Sequence, residues 1–192
     1  MKQLINFSNK HFRFVAVLCL LLVLASSNAW SLSVTYTTSS GTPSASGNTI
    51  AGSSSSFADE TNNSNHEQML ANGWMTLTLT SLGGINISNI TLSMKSNKKA
   101  GAGKLLYSTD GGTNWTYLVG SSSEGINFNN DAWNGSYSQS YVDVSKSVSL
   151  SNVSQLKIKI ESTTNSLYCE SFTLTYTAGG ASYTLHFLNV QE

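Results

Sequence analysis

The sequence predicts an all-β protein, an antiparallel β-sandwich, on three observations. Apolar residues recur with period two in segment after segment, glycine-bearing turns separate those segments, and no window after residue 30 carries a helical stripe. Each candidate strand has one apolar face and one Thr/Ser/Lys face. That pattern belongs to sheets that bury one side and wet the other. A jelly roll is the favoured form, with an open barrel or an immunoglobulin-like sandwich as the alternative.

The first element is not a strand. Lys2, Lys10 and Arg13 precede an unbroken apolar run from Phe14 to Ala25, and Ser27-Asn28-Ala29 then places small residues before Trp30. A positive start, a short apolar centre and a small-residue exit read as a secretory signal peptide covering residues 1–29. Twelve helical residues rise ~18 Å, short of the ~30 Å of a bilayer core, so the run is not expected to be a membrane anchor. Leu18 before Cys19 is too bulky for a lipoprotein site. After removal, seven Lys, no Arg and ten acids would remain, for a net charge of −3, and Cys169 would be the remaining cysteine. An intrachain disulfide is then excluded, and stability must come from the core.

The strands follow in order. Leu32, Val34 and Tyr36 alternate with Ser33 and Thr35; Met75, Leu77 and Leu79 with Thr76, Thr78 and Thr80; Ile90, Leu92 and Met94 with Thr91, Ser93 and Lys95. Lys104 to Ser108, Trp115 to Val119 and Ser140 to Val144 are further candidates. Leu156, Ile158 and Ile160 then alternate with Lys157, Lys159 and Glu161, and Phe172, Leu174 and Tyr176 with Thr173 and Thr175. Gly83-Gly84, Gly101-Ala102-Gly103, Asp110-Gly111-Gly112 and Gly179-Gly180 supply turn chemistry between them. Three stretches read as irregular: Ser39 to Ser56, Asp59 to His66, and Ser121 to Gln139. The domain is expected over residues 30–178. Residues 179–192 read as a linker and a strand-like run, Tyr183 to Val190, that is expected to open a second domain, with an added edge strand of the sandwich as the alternative.

Composition narrows the function. Charged residues are 10%, against about 25% in an average soluble domain. The solvating surface is instead built from 34 Ser, 19 Thr and 19 Asn. With no basic excess to neutralise phosphates, nucleic-acid binding is excluded as an expectation. The acids are scattered, without the facing carboxylate pair of glycoside hydrolysis. His66 and His186 stand apart from any Ser/Asp constellation, so no enzyme is expected.

Four groups of residues carry candidate chemistry. Ser108-Thr109-Asp110-Gly111-Gly112-Thr113-Asn114-Trp115 looks like an Asp-box hairpin, with Ser108, Asp110, Gly112 and Trp115 matching and Asn114 standing where Thr is usual. Its physics is local: Asp110 accepts backbone N–H groups, glycines take positive φ, and Trp115 packs beneath the turn. This reads as a folding device. Asp59, Glu60 and Asn62, with Asn63 and Asn65, place oxygen ligands suited to Ca2+ on one loop, but at no known ligand spacing; a solvated turn is the plainer reading and no cofactor is expected. Lys95, Lys98, Lys99 and Lys104 form a small basic cluster that reads as a solvated hairpin end, where charge also discourages edge pairing, with contact to an anionic glycan as the alternative. Trp74, Trp133, Tyr137 and Tyr141 offer flat apolar surfaces for a pyranose. Trp74 and Trp115, next to alternating strands, are expected in the core. Trp133, with Asn134 and Tyr137, lies among loop-type polar residues and is the expected ligand platform.

From Ile87 to Tyr176 the chain resembles a β-sandwich module found near the N-terminus of secreted multidomain proteins of Bacteroidota-type bacteria. Ile87 to Asn97, Ala100 to Gly103 and Thr164 to Tyr176 carry the resemblance. It implies a jelly-roll or galactose-binding-like sandwich and no settled activity. The expected function is a secreted or cell-surface, non-catalytic accessory module that contacts a glycan or a surface protein. The alternative is a carbohydrate-binding module that holds a neutral glycan through loop aromatics.

Overall fold

A computed structural model describes residues 30–37, 42–60, 68–133 and 137–179. The expected signal peptide, the strand-like run after Gly179, Asn62 and Asn134 lie outside the described residues. The described residues from Ser31 onward form one compact unit. Among the described residues there are twelve strands in two antiparallel sheets and no helix long and apolar enough to cross a membrane.

The strands are β1 (Leu32–Thr37), β2 (Ser44–Gly47), β3 (Ser54–Asp59), β4 (Gln68–Met69), β5 (Trp74–Thr80) and β6 (Ile85–Ser96), then β7 (Ala102–Ser108), β8 (Thr116–Val119), β9 (Ile126–Asn127), β10 (Val142–Val153), β11 (Leu156–Thr164) and β12 (Leu167–Thr177). The first sheet runs β10-β6-β12-β1-β2, with β4 on β12; the second runs β3-β5-β11-β7-β8, with β9 on β7. From β5 to β12 the chain passes repeatedly between sheets, which is the wrapping of a jelly roll. The expected all-β antiparallel sandwich is the observed architecture.

Register explains the core. Val34 faces Leu174, Leu92 faces Phe172, and Leu77 faces Ile158, each an inward pair on its own sheet. These side chains are fully buried and join one continuous cluster between the sheets. Burial of each such side chain contributes about 1.5–3 kcal/mol. Phe57 of β3 and Phe172 of β12 bridge the two sheets, ring centroids 6.4 Å apart.

The strand pattern departs from the sequence reading in the Ser-rich segments. Ser39 to Ser56, expected as irregular, holds β2 and the start of β3, and β10 runs to Val153. In β3 the inward positions are Ser55, Phe57 and Asp59, so Phe57 alone supplies apolar period. Pairing with β5, not side-chain hydrophobicity, sets that strand.

Candidate functional site

The outward faces of the two sheets differ in chemistry. On the first sheet, Thr35 bonds Thr173 at 2.8 Å, Thr91 bonds Ser145 at 3.0 Å, and Ser93 donates to Glu170 at 2.8 Å. Cross-strand pairs of this kind satisfy the hydroxyls among themselves. The second sheet carries two indole rings, Trp74 and Trp115. One row across it runs Ala58, Thr76, Lys159, Leu106 and Tyr117, each opposite the next. Trp74 lies two residues along β5 from Thr76, opposite Glu161. It shares the outward parity of the threonines.

Trp115 reaches this face from the β7–β8 turn. Asp110 Oδ1 accepts the N–H groups of Thr113 at 3.1 Å and Asn114 at 3.0 Å, and Oδ2 accepts the Asn114 amide Nδ2 at 2.6 Å. Ser108 Oγ donates to Asp110 at 2.7 Å and accepts the Gly112 N–H at 2.9 Å. Those bonds, the Asn114 backbone N–H first, hold the Asp110 carboxyl well below the usual carboxylate range. Gly111 and Gly112 have φ of 77° and 95°, which an L side chain resists. At Gly112 a Cβ would lie 3.3 Å from Lys157 Nζ and 3.5 Å from the Trp115 ring. The turn thus brings the indole back onto β11.

The two indoles flank a groove of about 290 Å³. Thr76, Thr78, Lys157 and Lys159 line it between Trp74 and Trp115, with Ala58 at the β3 side. Lys159 Nζ stands 5.6 Å from the Trp74 ring centroid and 6.0 Å from that of Trp115, and it pairs with Glu161 at 2.6 Å. Cation–π contact with both rings fixes their spacing about one ammonium. Among the described residues the lining holds no carboxylate, histidine or cysteine, and Glu161 borders it through its pair with Lys159. Among the described residues Lys157 has no hydrogen-bond or ion-pair partner, which leaves its donors for a ligand.

The aromatic expectations are inverted by the structure. Trp133 is not exposed: it is fully buried, its Nε1 donates to the Ile126 carbonyl at 2.9 Å, and its ring packs 5.7 Å from that of Phe128. The polar residues around it build the turn that inserts it. Asn129 N–H bonds Asn127 Oδ1 at 2.9 Å and Ala132 N–H bonds Asn130 Oδ1 at 3.0 Å. Tyr137 is half-buried on the following segment. Trp74 and Trp115, expected in the core, are half-buried on the open face. The missed signal was parity, since Trp74 shares the phase of Thr76 and Thr78 and not that of Met75 and Leu77.

Asp59 and Glu60 sit at the end of β3, where successive side chains leave on opposite faces of the pleat. Among the described residues no three His, Cys, Asp or Glu side chains are grouped to hold a metal ion.

No protein-family profile and no curated protein matches the chain. Among solved structures, the C-terminal carbohydrate-binding module of a marine laminarinase from Zobellia galactanivorans overlaps 74% of this chain and 98% of its own, at 15% identity and TM-score 0.38. A xylan-binding module overlaps 80% and 95%, at 7% identity and TM-score 0.40. A carbohydrate-binding module of Cellvibrio mixtus lichenase 5A, solved with cellotriose, overlaps 73% and 95%, at 12% identity and TM-score 0.36. Likeness at this level transfers no ligand to this chain.

Proposed function

We propose that this chain is a secreted, non-catalytic carbohydrate-binding module whose glycan lies in the groove between Trp74 and Trp115. One observation carries the reading: two half-buried indoles flank one groove on the outward face of the second sheet, both within 6.0 Å of Lys159 Nζ. Half-buried rings offer flat apolar surface at little entropic cost, which suits the C–H face of a pyranose. Thr78 and Lys157 supply the hydrogen bonds that hydroxyls require, and orientation follows from those few polar groups. Among the described residues the lining offers no carboxylate or histidine, and Glu161 beside it is paired with Lys159, an arrangement that suits binding. This reading moves the ligand from the loop around Trp133 to the sheet face, and it gives the broader accessory role a defined ligand class.

Calorimetric titration with a panel of soluble polysaccharides tests it. At least one glycan is expected to bind the native chain, with binding lost in the Trp74→Ala, Trp115→Ala double variant and cooperative thermal unfolding retained. Undiminished binding by that folded double variant would exclude the groove.

A further inference from the structure

The first sheet carries a second aromatic–cation arrangement, separate from the groove above. Lys95 lies at an outward position of β6, directly opposite Tyr168 of β12. Its Nζ stands 4.3 Å from the Tyr141 ring centroid and 5.0 Å from that of Tyr168. Contact with two ring faces positions an ammonium without committing its three N–H donors to a fixed acceptor. Among the described residues Lys95 has no hydrogen-bond or ion-pair partner. Glu170, the carboxylate on the same face, accepts the Ser93 hydroxyl.

Lys95, Tyr168, Asn97 and Gln139 line a groove of about 250 Å³. Asn97 Oδ1 accepts the Ser166 N–H at 3.2 Å, which anchors that amide while its nitrogen retains two donors. Gln139 is exposed at the rim. A positioned cation, two amides and an aromatic wall are what an anionic group on a hydroxyl-rich scaffold requires. Carboxylates accept from ammonium and amide donors together, and such charge-assisted bonds exceed neutral ones in strength.

We propose that this groove is a second binding site, for a carboxylated sugar unit, with Lys95 on the carboxylate and Asn97 and Gln139 on the hydroxyls. The two grooves open on the outward faces of different sheets, so occupation of one leaves the other accessible. The assignment does not depend on the reading of the Trp74–Trp115 groove.

NMR titration of the isotope-labelled full chain with sodium glucuronate, and separately with glucose, tests the site. Glucuronate is expected to shift the signals of Lys95, Asn97 and Gln139, and glucose is not. Lys95→Gln is expected to weaken glucuronate binding about tenfold, the worth of one charged hydrogen bond. Added salt weakens it in the native chain, and Trp74→Ala leaves it unchanged. Equal responses to both sugars, a glucuronate response confined to Trp74 and Trp115, unaltered affinity in Lys95→Gln, or no response to glucuronate overturns the proposal.

Discussion

Three tryptophans in this chain perform two different tasks, and burial separates them. Trp133 has its indole N–H bonded to a backbone carbonyl and no exposed surface, so truncation would open a large cavity and orphan that carbonyl. Trp133→Ala is expected to cost ~3–5 kcal/mol in urea unfolding. Trp74→Ala and Trp115→Ala remove half-exposed rings and should each cost ~1 kcal/mol or less. Each should instead weaken glycan binding by ~2 kcal/mol, about thirtyfold, as buried-interface tryptophans do. Asp110 makes a pH prediction. Its folded-state pKa is depressed by the N–H groups of Asn114 and Thr113 and by Ser108, so its contribution is present above the unfolded carboxyl's pKa of about 3.9. That contribution declines as pH falls below that value and is lost through the folded pKa. The turn is fully exposed and solvent screens it. Melting temperature against pH should therefore fall somewhat more steeply in the native chain than in Asp110→Asn, and only below about pH 4; parallel curves would mean that the carboxylate bonds add nothing.

At the scale of strands, the legible elements were those with apolar period two on one face and a glycine turn at the end. β5, β6 and β12 have that form, β11 has the period without a glycine at either end, and all four lie inside their sheets. β2 and β3 were not legible, because an edge strand can be held by backbone pairing alone when its side chains are Ser and Ala. The groove was legible only in part: the turn that carries Trp115 is written in consecutive residues. The row from Ala58 to Tyr117, by contrast, is assembled from four strand pairings that no local pattern specifies. Gly103 shows how closely the second sheet is fitted. On β7, a Cβ there would lie 2.4 Å from the Glu161 carbonyl oxygen and 2.6 Å from Leu167 Cδ1. Backbone on one side and a core side chain on the other leave no room to yield. Gly103→Ala is expected to cost ~1–3 kcal/mol, read as a lower urea midpoint with an unchanged slope.

Across the whole molecule, the ends of the described chain meet in one sheet: β1 pairs with β12, Val34 opposite Leu174. Closing so long a loop before any contact rewards it makes folding slow, in the millisecond-to-second range of β-sandwiches. It also ties β12 on both sides, to β6 and to β1. Cys169 lies on this strand, fully buried and opposite Met94, its Sγ donating to the Ser171 carbonyl at 3.4 Å. Its reactivity reports whether the sandwich opens locally or only as a whole. With Cys19 replaced by Ser, a thiol reagent should label Cys169 at a rate that rises with urea in step with global unfolding, because proteins expose central strands only by large openings. The opening free energy from labelling should equal that from equilibrium unfolding when reclosing outpaces the reagent. The competing outcome has a structural location: the β6–β12 register shifts between Cys169 and Ser171, and among the described residues β4 pairs with Leu167 and Tyr168 alone. Fast, urea-independent labelling would mean that this end of β12 frays by itself, and that the Lys95 groove beside Tyr168 rests on a mobile strand end.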